Sequence, residues 1–466
     1  MANNDNNWSI TLKNFSSGFS PLAFTDSLTE LGNGGSASAM TNVDVLDSRL
    51  QQGSGLSNLA GTLNEEISFI MDKAVATNVS YAIGTSKLFT LTATTVASLH
   101  DISSCTEGES LSLLKGNLYY FYNTSSEGRI GKYDLVSTFT DSWATGLQLA
   151  PHPSDKKEDI MVFGNGRYAG VYIQETGDLT VDKLDFGNDM EVADVLYNAG
   201  LWYIAVNSNV SGANRTEGQI YLYDGAALVN TLTDETGVGV MKIGFLYRIN
   251  GIIYVAYTDI TSDSFIIGYV NGKSITPLVR YTGSLPNFQQ KTLFRNTILF
   301  ISDGLIYSAG AIVPQLPFAL SQIADGGYTN VGAIAAPFGD VLVSSDDGGS
   351  NYRIAKFENY DTNSSWKSIV FSVVSGFNMG YIDEIVCLTN ALESGARADL
   401  TIEANQAVDT SSVQQITTTG KTRHRFNSFG LGKLEDFRIA ISFANGSTTK
   451  PVKIRKIIVK GHWVEG

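Results

Sequence analysis

The fold of this chain is decided by GNLYYFYN at residues 116–123 and by GRIGKYDL at residues 128–135. Each segment opens on a glycine and continues with aromatic or aliphatic residues interspersed with small or polar ones. A period of two is typical of β-strands with one buried face. The polar connection TSSE (124–127) is short enough for a tight turn, so the two segments predict a β-hairpin.

The same pattern recurs along the chain and is therefore a structural repeat. Seven copies occur at intervals of roughly 35 to 50 residues, and each interval has room for a four-stranded sheet. Radial repetition of such sheets gives a β-propeller, so we expect about seven blades over residues 76–365, with a long β-sandwich or a β-helix as the alternative. The other copies are VSYAIG (79–84) with KLFTLT (87–92), GRYAGVYI (166–173) with LTVDKL (179–184), GLWYIAVN (200–207) with GQIYLYDG (218–225), GIIYVAYT (251–258) with SFIIGYVNGK (264–273), RNTILFIS (295–302) with GLIYSAG (304–310), and FGDVLVSS (338–345) with NYRIAKFE (351–358).

Both ends of the chain break this period. Residues 1–75 are rich in Asn, Ser and Gly, with few clustered apolar residues, so we expect an extended N-terminal arm without a core of its own. From residue 366 onward, longer alternating segments occur without the short repeat. These segments predict a separate C-terminal β-sandwich over residues 366–466.

The composition is that of a folded, acidic protein of two or three domains. The chain has 466 residues, a formal net charge of −14 and 43% hydrophobic residues. No apolar run approaches the length of a membrane span, and the first residues lack the basic-then-apolar pattern of a signal peptide. We therefore expect a protein that is made in the cytoplasm. Its two cysteines, Cys105 and Cys387, are too few for a disulfide framework.

The sequence contains no familiar motif for catalysis or cofactor binding. The four histidines have no metal-ligand spacing to one another or to a cysteine, and neither a glycine-rich phosphate loop nor a G-x-S-x-G elbow occurs. A Ser–His–Asp triad is recognised by its geometry, and nothing in the sequence points to one. We therefore expect no enzyme activity, no catalytic residue, no cofactor and no bound metal.

One short motif favours a structural turn. Ser345, Asp347, Gly349 and Tyr352 match the pattern S-x-D-x-G-x-x-aromatic, which resembles the Asp-box of sialidase-type propellers. In such a turn the aspartate accepts backbone N–H bonds and the glycine takes a positive φ. The resemblance implies a non-catalytic hairpin turn whose aromatic residue packs into the blade. A calcium ion on Asp346 and Asp347 is the alternative.

The last tenth of this acidic chain is basic. Residues 421–460 contain ten Lys and Arg residues against two acids. Arg423 and Arg425 lie two residues apart, so on a strand they share one face. We expect these cations to contact acidic faces of neighbouring subunits; phosphates of DNA, or a solvated edge strand, are the alternatives. The candidate contact residues are Arg423, Arg425, Arg438, Lys453 and Arg455.

This ending, from KTRHRFNSFGLGKLEDFRI (421–439) to PVKIRKIIVKG (451–461), resembles the C-terminus of the tail hub, nozzle or DNA-stabilisation proteins of short-tailed bacteriophages. The segment NVDVLDSRLQQGSGLSNL (42–59) also resembles the opening of such virion proteins, although it lacks a proline after the first glycine signature and follows an unusually Asn-rich stretch. In that family a hexameric ring lies at the head–tail connector, and the related nozzle proteins combine a β-propeller with smaller β-domains.

The resemblance implies a structural virion protein of the tail or head–tail connector, located in the particle and without catalytic activity. Its partners would be other copies of itself in a ring, other virion proteins and, in passing, the packaged DNA, with the arm and the C-terminal domain as contact regions. A net negative charge suits a conduit through which DNA slides. The alternative function is a carbohydrate-binding or sialidase-like propeller for host-surface recognition. A bacterial surface adhesin is a third hypothesis, which the missing signal peptide disfavours.

Overall fold

The structure, a computed structural model, consists almost entirely of β-strands and their connections. It describes residues 7–13, 15, 24–25, 37–41, 43–45, 49–75, 78–208, 218–234, 242–258, 264–295, 297–310, 319–325, 330–346, 351–373, 378–444 and 446–465. Within these residues no helix is long and apolar enough to cross a membrane. The chain divides into two compact units: the propeller unit, residues 57–304 and 327–356, and the terminal unit, residues 1–56, 305–326 and 357–466.

The strands that come before the first repeat are short. They are β1 (Asn7–Leu12), β2 (Phe24–Thr25), β3 (Ala37–Thr41), β4 (Val43–Asp44), β5 (Leu50–Gln52) and β6 (Ser54–Asn58).

The strands of the repeats follow in successive antiparallel groups, here called sheets; a short parallel pairing of residues 233–234 with residues 274–275 joins the fourth group to the fifth. The first five sheets are β7 (Ile67–Ile70), β8 (Ser80–Gly84), β9 (Lys87–Leu91) and β10 (Val96–Asp101); β11 (Glu107–Leu114), β12 (Asn117–Asn123), β13 (Gly128–Tyr133) and β14 (Phe139–Leu147); β15 (Ser154–Lys157), β16 (Ile160–Asn165), β17 (Tyr168–Ile173) and β18 (Asp178–Asp185); β19 (Met190–Asn198), β20 (Leu201–Ser208), β21 (Gln219–Tyr223) and β22 (Leu228–Asp234); and β23 (Lys242–Ile249), β24 (Ile252–Thr258), β25 (Ser264–Asn271) and β26 (Ser274–Thr282). The sixth sheet begins with the paired strands β27 (Lys291–Phe294) and β28 (Thr297–Ser302). The next pair in the chain is β29 (Leu305–Gly310) and β30 (Ala319–Asp325). The seventh sheet begins with β31 (Asn330–Ala335), β32 (Leu342–Asp346) and β33 (Arg353–Tyr360).

The quoted repeats form hairpins within these sheets, as the sequence predicts. GNLYYFYN and GRIGKYDL contain β12 and β13, which pair with Tyr120 opposite Gly131. One copy is displaced: GRYAGVYI forms β17, the third strand of its sheet, because IMVFGN already supplies the second strand, β16. A shared alternation of apolar residues marks a strand in sequence but does not give its rank within a sheet.

The sheets of the propeller unit form a closed ring. Hydrophobic clusters join the first five sheets in succession, as where Phe121 of the second sheet lies 5.3 Å from Phe163 of the third, measured between ring centroids. Phe245 of the fifth sheet lies 6.2 Å from Phe300 of the sixth, and β27 and β28 of the sixth sheet contact β31 of the seventh. The seventh and first sheets share another cluster, which contains Leu342 and Phe89. The chain just before β7 also joins these two sheets, because Leu59 donates its N–H to the carbonyl of Ile354 at 2.8 Å. The propeller unit is therefore a seven-bladed β-propeller.

The terminal unit contains the longer strands of the C-terminal region. These are β34 (Ser365–Ser368), β35 (Val370–Ser372), β36 (Asn378–Thr389), β37 (Ala398–Ala404), β38 (Asp409–Thr410), β39 (Gln414–Ile416), β40 (Arg423–Phe426), β41 (Asp436–Ser442) and β42 (Lys453–Glu465).

Two sheets of the terminal unit enclose one hydrophobic core. One sheet has the order β4-β5-β42-β36-β40, with β1 also on β42, and the other has the order β2-β35-β41-β34-β3, with β37 on β41. Side chains of both sheets meet in the core, among them Ile385 and Ile457 from the first and Trp366 and Ile439 from the second. This unit is therefore a β-sandwich, as the sequence predicts.

The N-terminal region differs from the arm expected at residues 1–75. Trp8 of β1 lies opposite Gly461 of β42, and Trp8 and Phe15 are buried in the core of the terminal unit. At the other end of the expected arm, β7 is already a strand of the first propeller sheet. The sparse apolar residues of this region alternate well enough to form strands, and strands from the other end of the chain supply the rest of their core. Among the described residues, these N-terminal strands are therefore held in place by strands of the same chain, without a partner subunit.

Candidate functional site

The candidate site is the inner wall of the propeller unit, which the first strand of each sheet forms. Where several of these strands pair with the second strand, the register shifts by one residue, at Ser68, Glu109, Ala193 and Gly244. Such β-bulges redirect a side chain and are common beside binding sites. Two cavities lie along this wall.

The first cavity, here called the glutamate cavity, lies where the inner strands begin. Its volume is about 540 Å³. Carboxyl and amide groups dominate its wall, with Phe288 as an aromatic element. The polar wall residues include Glu107, Glu109, Glu191, Asn123, Asn207 and Gln289.

Glu109 is the deepest acid of the glutamate cavity. Its side chain is buried, and its Oε1 accepts a hydrogen bond from Nδ2 of Asn123 at 2.8 Å. Burial, followed by the charges of Glu107 and Glu191, raises the pKa of Glu109 to about 8. The side chain therefore carries a proton at neutral pH and acts as an uncharged hydrogen-bonding group.

His152 lies behind Glu109, next to Asn123. Its Nδ1 is 2.9 Å from the carbonyl oxygen of Gly164 and its Nε2 is 3.2 Å from Oδ1 of Asn123. Burial lowers the pKa of His152 to about 4, so the ring is neutral at physiological pH. A neutral, fully enclosed imidazole of this kind supports the wall and is not exposed to a ligand.

The second cavity, here called the lysine cavity, lies where the inner strands end and has a volume of about 380 Å³. Cations and acids alternate around its wall, together with Phe69 and Tyr247. Phe288 lines both cavities. The charged wall residues are Lys73, Lys156, Arg248, Lys291, Asp72, Asp155 and Asp194.

The acids of the lysine cavity connect neighbouring sheets. Asp155 on β15 accepts the N–H of Tyr197 on β19 at 2.8 Å. Asp194 on β19 accepts the N–H of Leu246 on β23 at 2.6 Å. Asp72, which follows β7, accepts the N–H of Ala336, which follows β31, at 3.1 Å. Three carboxylates thus satisfy backbone donors across the boundaries between blades, which is a structural use of buried charge.

Lys291 balances the charge of these acids. Its Nζ bonds Asp194 and also donates to the carbonyl of Leu246 at 2.7 Å. Burial raises the pKa of Asp72, Asp155 and Asp194, and the charge of Lys291 opposes that shift at all three. The pKa of Asp72 rises to about 6, because protein atoms crowd around its carboxyl group, although part of the residue is exposed. Among the described residues, no group of three His, Cys, Asp or Glu side chains could hold a metal ion.

Several basic residues of the terminal unit form ion pairs with acids of the same chain. Arg423 and Arg425 share the exposed face of β40, as the sequence predicts, and His424 between them is buried. Arg425 Nε lies 3.0 Å from Oε1 of Glu384, and Lys460 Nζ lies 2.8 Å from its Oε2. The hydrogen bond from Lys460 and then the charge of Arg425 lower the pKa of Glu384.

Arg438 belongs to the other sheet of the sandwich. It lies on β41 opposite Glu403 of β37, and its Nε bonds Oε2 of that glutamate. Lys367 Nζ binds the other oxygen of Glu403 at 2.7 Å. Burial raises the pKa of Glu403, but the hydrogen bonds from Lys367 and Arg438 outweigh it and the pKa is lowered. The structure therefore does not bring Arg438 together with Arg423 and Arg425.

The last strand contains an irregularity that the sequence does not reveal. Ile454 and Ile457 fall on opposite faces of a regular strand, yet both are buried. The register between β36 and β42 shifts between Leu388 and Thr389, which displaces Arg455 from the regular pairing. Arg455 then donates from Nε and Nη2 to the carbonyl of Thr389, at 3.1 and 2.9 Å. Lys453, two residues earlier, is half-buried opposite Gln51 of β5.

The turn motif of the seventh sheet is described only in part. Ser345 is buried in β32, and Tyr352 is half-buried against the cluster shared by the seventh and first sheets. Asp347 and Gly349 lie outside the described residues, so the hairpin turn and its calcium alternative remain predictions.

Sequence reasoning missed both cavities of the propeller unit. Their charged residues come from several sheets, and none of them belongs to a motif with a recognisable spacing. The only local signal is the acidic segment EGES (107–110), which precedes the strongest hairpin and contains Glu107 and Glu109.

No protein-family model matches the sequence, and no curated protein matches it. Solved structures to which the chain is similar include the extracellular domain of the hybrid two-component system BT4673 from B. thetaiotaomicron, at 10% identity and a TM-score of 0.48, over 80% of this chain and 47% of that one. Drosophila Semaphorin 1a, extracellular domains 1-2, matches at 9% identity and a TM-score of 0.44, over 65% and 88% of the two chains. An exo-β-1,3-galactanase from Phanerochaete chrysosporium matches at 10% identity and a TM-score of 0.34, over 69% and 98%. The chain thus spans about half the length of the first of these structures. Its own sheets identify it, at the level of the fold, as an all-β protein that combines a seven-bladed β-propeller with a β-sandwich.

Proposed function

We propose that this chain is a non-catalytic structural protein of a bacteriophage tail or head–tail connector, where copies assemble into a ring. The observation that carries the proposal is strand β40. It is last in the strand order of its sheet, and it exposes Arg423 and Arg425 in a chain whose net charge is −14. A cationic edge of this kind complements an acidic surface on a neighbouring subunit.

The inner wall of the propeller unit supports the same proposal. Asp72, Asp155 and Asp194 are engaged with backbone donors of neighbouring sheets, and Lys291 offsets their charge. Acids used in this way stiffen a ring of sheets and are poorly placed for proton transfer to a substrate. The propeller then acts as a building block of the particle.

The location is tested on purified particles of the phage that encodes the chain. Gold-labelled antibodies raised against the protein should bind at the tail or the head–tail junction, and mass spectrometry should find the chain in the particles. Particles that contain none of the protein would refute a structural role.

The assembly contact is tested by charge reversal on the edge strand. The double variant Lys421→Glu, Arg423→Glu changes two exposed cations at the start of β40. The matched control Lys183→Glu, Lys273→Glu changes two exposed cations of the propeller unit by the same amount. Native mass spectrometry should show fewer assembled rings for the β40 variant only. If both variants assemble like the unmodified protein, the cations merely shield the edge of the sheet.

The glutamate cavity favours a second candidate, a carbohydrate-binding propeller. Carboxyl and amide groups beside Phe288 match the polar edges and the apolar face of a sugar ring. A glycan array followed by calorimetric titration tests it, with Gln289→Ala as the variant that removes a cavity amide. A defined glycan whose affinity falls in this variant would support the candidate, and an array without any bound glycan would refute it.

A further inference from the structure

Lys73 and Lys156 in the lysine cavity have no carboxylate of their own. Both line the cavity, and neither forms a salt bridge within the part of the chain that the structure describes. Lys73 is exposed and Lys156 is half-buried. An ammonium group in a partly enclosed place usually has an anionic partner, because burial without one is costly.

The acids of this cavity are already engaged. Asp155 uses Oδ1 for the N–H of Lys156 itself and Oδ2 for the N–H of Tyr197, each at 2.8 Å. Asp194 accepts the N–H groups of Val195 and Leu246 and pairs with Lys291. The charge of Asp155 raises the pKa of Lys156, but by less than burial or the charge of Lys73 lowers it.

The two lysines also repel each other. Burial, and then the charge of Lys73, lower the pKa of Lys156 to about 8. An anion between two such groups relieves the repulsion and favours the charged form of Lys156. Arg248 lies on the same wall, where its Nη1 donates to the carbonyl of Tyr197 at 2.9 Å. This bond holds a guanidinium group, a good oxyanion donor, on the wall of the same cavity.

We propose that Lys73, Lys156 and Arg248 form a binding site for the oxyanion group of a small ligand: a phosphate, a sulfate or the carboxylate of an acidic sugar. The cavity, at about 380 Å³, has the size of a small-molecule site. Phe69 and Tyr247 supply apolar surface for the remainder of such a ligand. The inference goes beyond the structural role proposed above and does not depend on it.

Isothermal titration calorimetry on the full chain tests the site, with sodium chloride holding the ionic strength constant. The probes are inorganic phosphate, glucose 6-phosphate and N-acetylneuraminic acid. At least one should bind, and Lys73→Gln and Lys156→Gln should each weaken its binding at least tenfold. Tighter binding of a sugar than of phosphate would assign the site to a ligand that fills the cavity, whereas equal binding would assign it to the free ion, and both outcomes support the site.

Lys157→Gln is the matched control. Lys157 is the next residue on β15, points to the opposite face, and places its Nζ 5.3 Å from the ring centroid of Tyr197, outside the cavity. Its variant should bind the probe within twofold of the unmodified chain. In the absence of ligand, Lys156→Gln should melt no lower than the unmodified chain, because one of two like charges is removed. Absence of binding by all three probes, or an equal loss in Lys157→Gln, would overturn the proposal.

Discussion

At the scale of single residues, position in the ring sets the chemistry of the acids. Glu107 and Glu109 are two residues apart, yet only Glu109 falls on the bulge of β11 and is enclosed by the second sheet and its neighbours. Burial then raises the pKa of Glu109 to about 8. Burial thus makes the side chain of Glu109 an uncharged hydrogen-bonding group at neutral pH, whereas the side chain of Glu107 is exposed to solvent.

This pKa makes the stability of the protein depend on pH. The unfolded chain releases the proton of Glu109 near its ordinary pKa of 4.5, whereas the folded chain holds it up to about pH 8. The stabilisation that the folded chain gains from holding this proton is complete below about pH 4.5. As the pH rises from there towards 8, the free energy of unfolding falls by up to about 1.4 kcal/mol per pH unit. In urea unfolding, Glu109→Gln should gain stability relative to the unmodified chain between pH 5 and pH 8. The exposed control Glu175→Gln should show no such trend, and a difference that does not vary with pH would contradict the assignment.

Lys291 provides a second prediction at this scale. Lys291→Met leaves Asp194 buried without its cation and should lower the free energy of unfolding by about 3–5 kcal/mol, as measured by urea titration. Adding Asp194→Asn should recover part of the loss, because the unpaired charge is then removed. The control Lys157→Met should change stability by less than about 1 kcal/mol, since its cation lies at the surface. Similar losses of unfolding free energy in Lys291→Met and Lys157→Met would show that the buried ion pair contributes no more to stability than an exposed lysine.

At the scale of elements, β42 is the strand on which the first sheet of the sandwich is built. β1 and β5 pair with it on one edge and β36 on the other. Gly461 sits where these strands come close together: a Cβ at this position would lie 2.1 Å from the carbonyl oxygen of Tyr381 and 2.3 Å from the Trp8 ring. A side chain there forces two strands apart.

Gly461→Ala should therefore destabilise the terminal unit. The clash involves backbone, which cannot move aside like a flexible side chain, so we expect a loss of about 1–3 kcal/mol or more in chemical unfolding. Gly432→Ala is the control, because a Cβ at Gly432 meets no atom within 4 Å. Equal stability of the two variants would show that β1, β36 and β42 are not paired as described.

At the scale of the whole molecule, two separate cores stabilise the chain. Trp366 is fully buried in the core of the terminal unit, and Phe121 is fully buried between two sheets of the propeller unit. The terminal unit takes its strands from segments far apart in the sequence, such as β1 and β42, so its folding requires pairing over a long sequence separation. Pairings so distant in sequence are slow to form.

Two cores predict two heat-induced transitions. In differential scanning calorimetry, Trp366→Ala should lower one transition and Phe121→Ala the other, each by an amount that corresponds to about 3–5 kcal/mol. A single transition that both substitutions lower equally would show that the two units unfold as one.

Local patterns in the sequence predict the hairpins, the repeat and the fold class. Turn residues and a period of two are local properties, so GNLYYFYN and its copies predict hairpins, and their number predicts seven blades. The same local reasoning correctly assigned Arg423 and Arg425 to one exposed face. It did not assign GRYAGVYI to a particular strand of its sheet, because alternation contains no information about neighbouring strands.

The contacts between residues that are distant in the sequence follow from the tertiary structure alone. Glu384 and Glu403 pair with Arg425 and Arg438 across strands, and the first strand of the chain completes a sheet with the last. The lysine cavity likewise joins side chains from several sheets. The physical reason is that charge pairing and burial depend on distance in space, whereas the pattern along a chain reports only which face of its own strand a residue occupies.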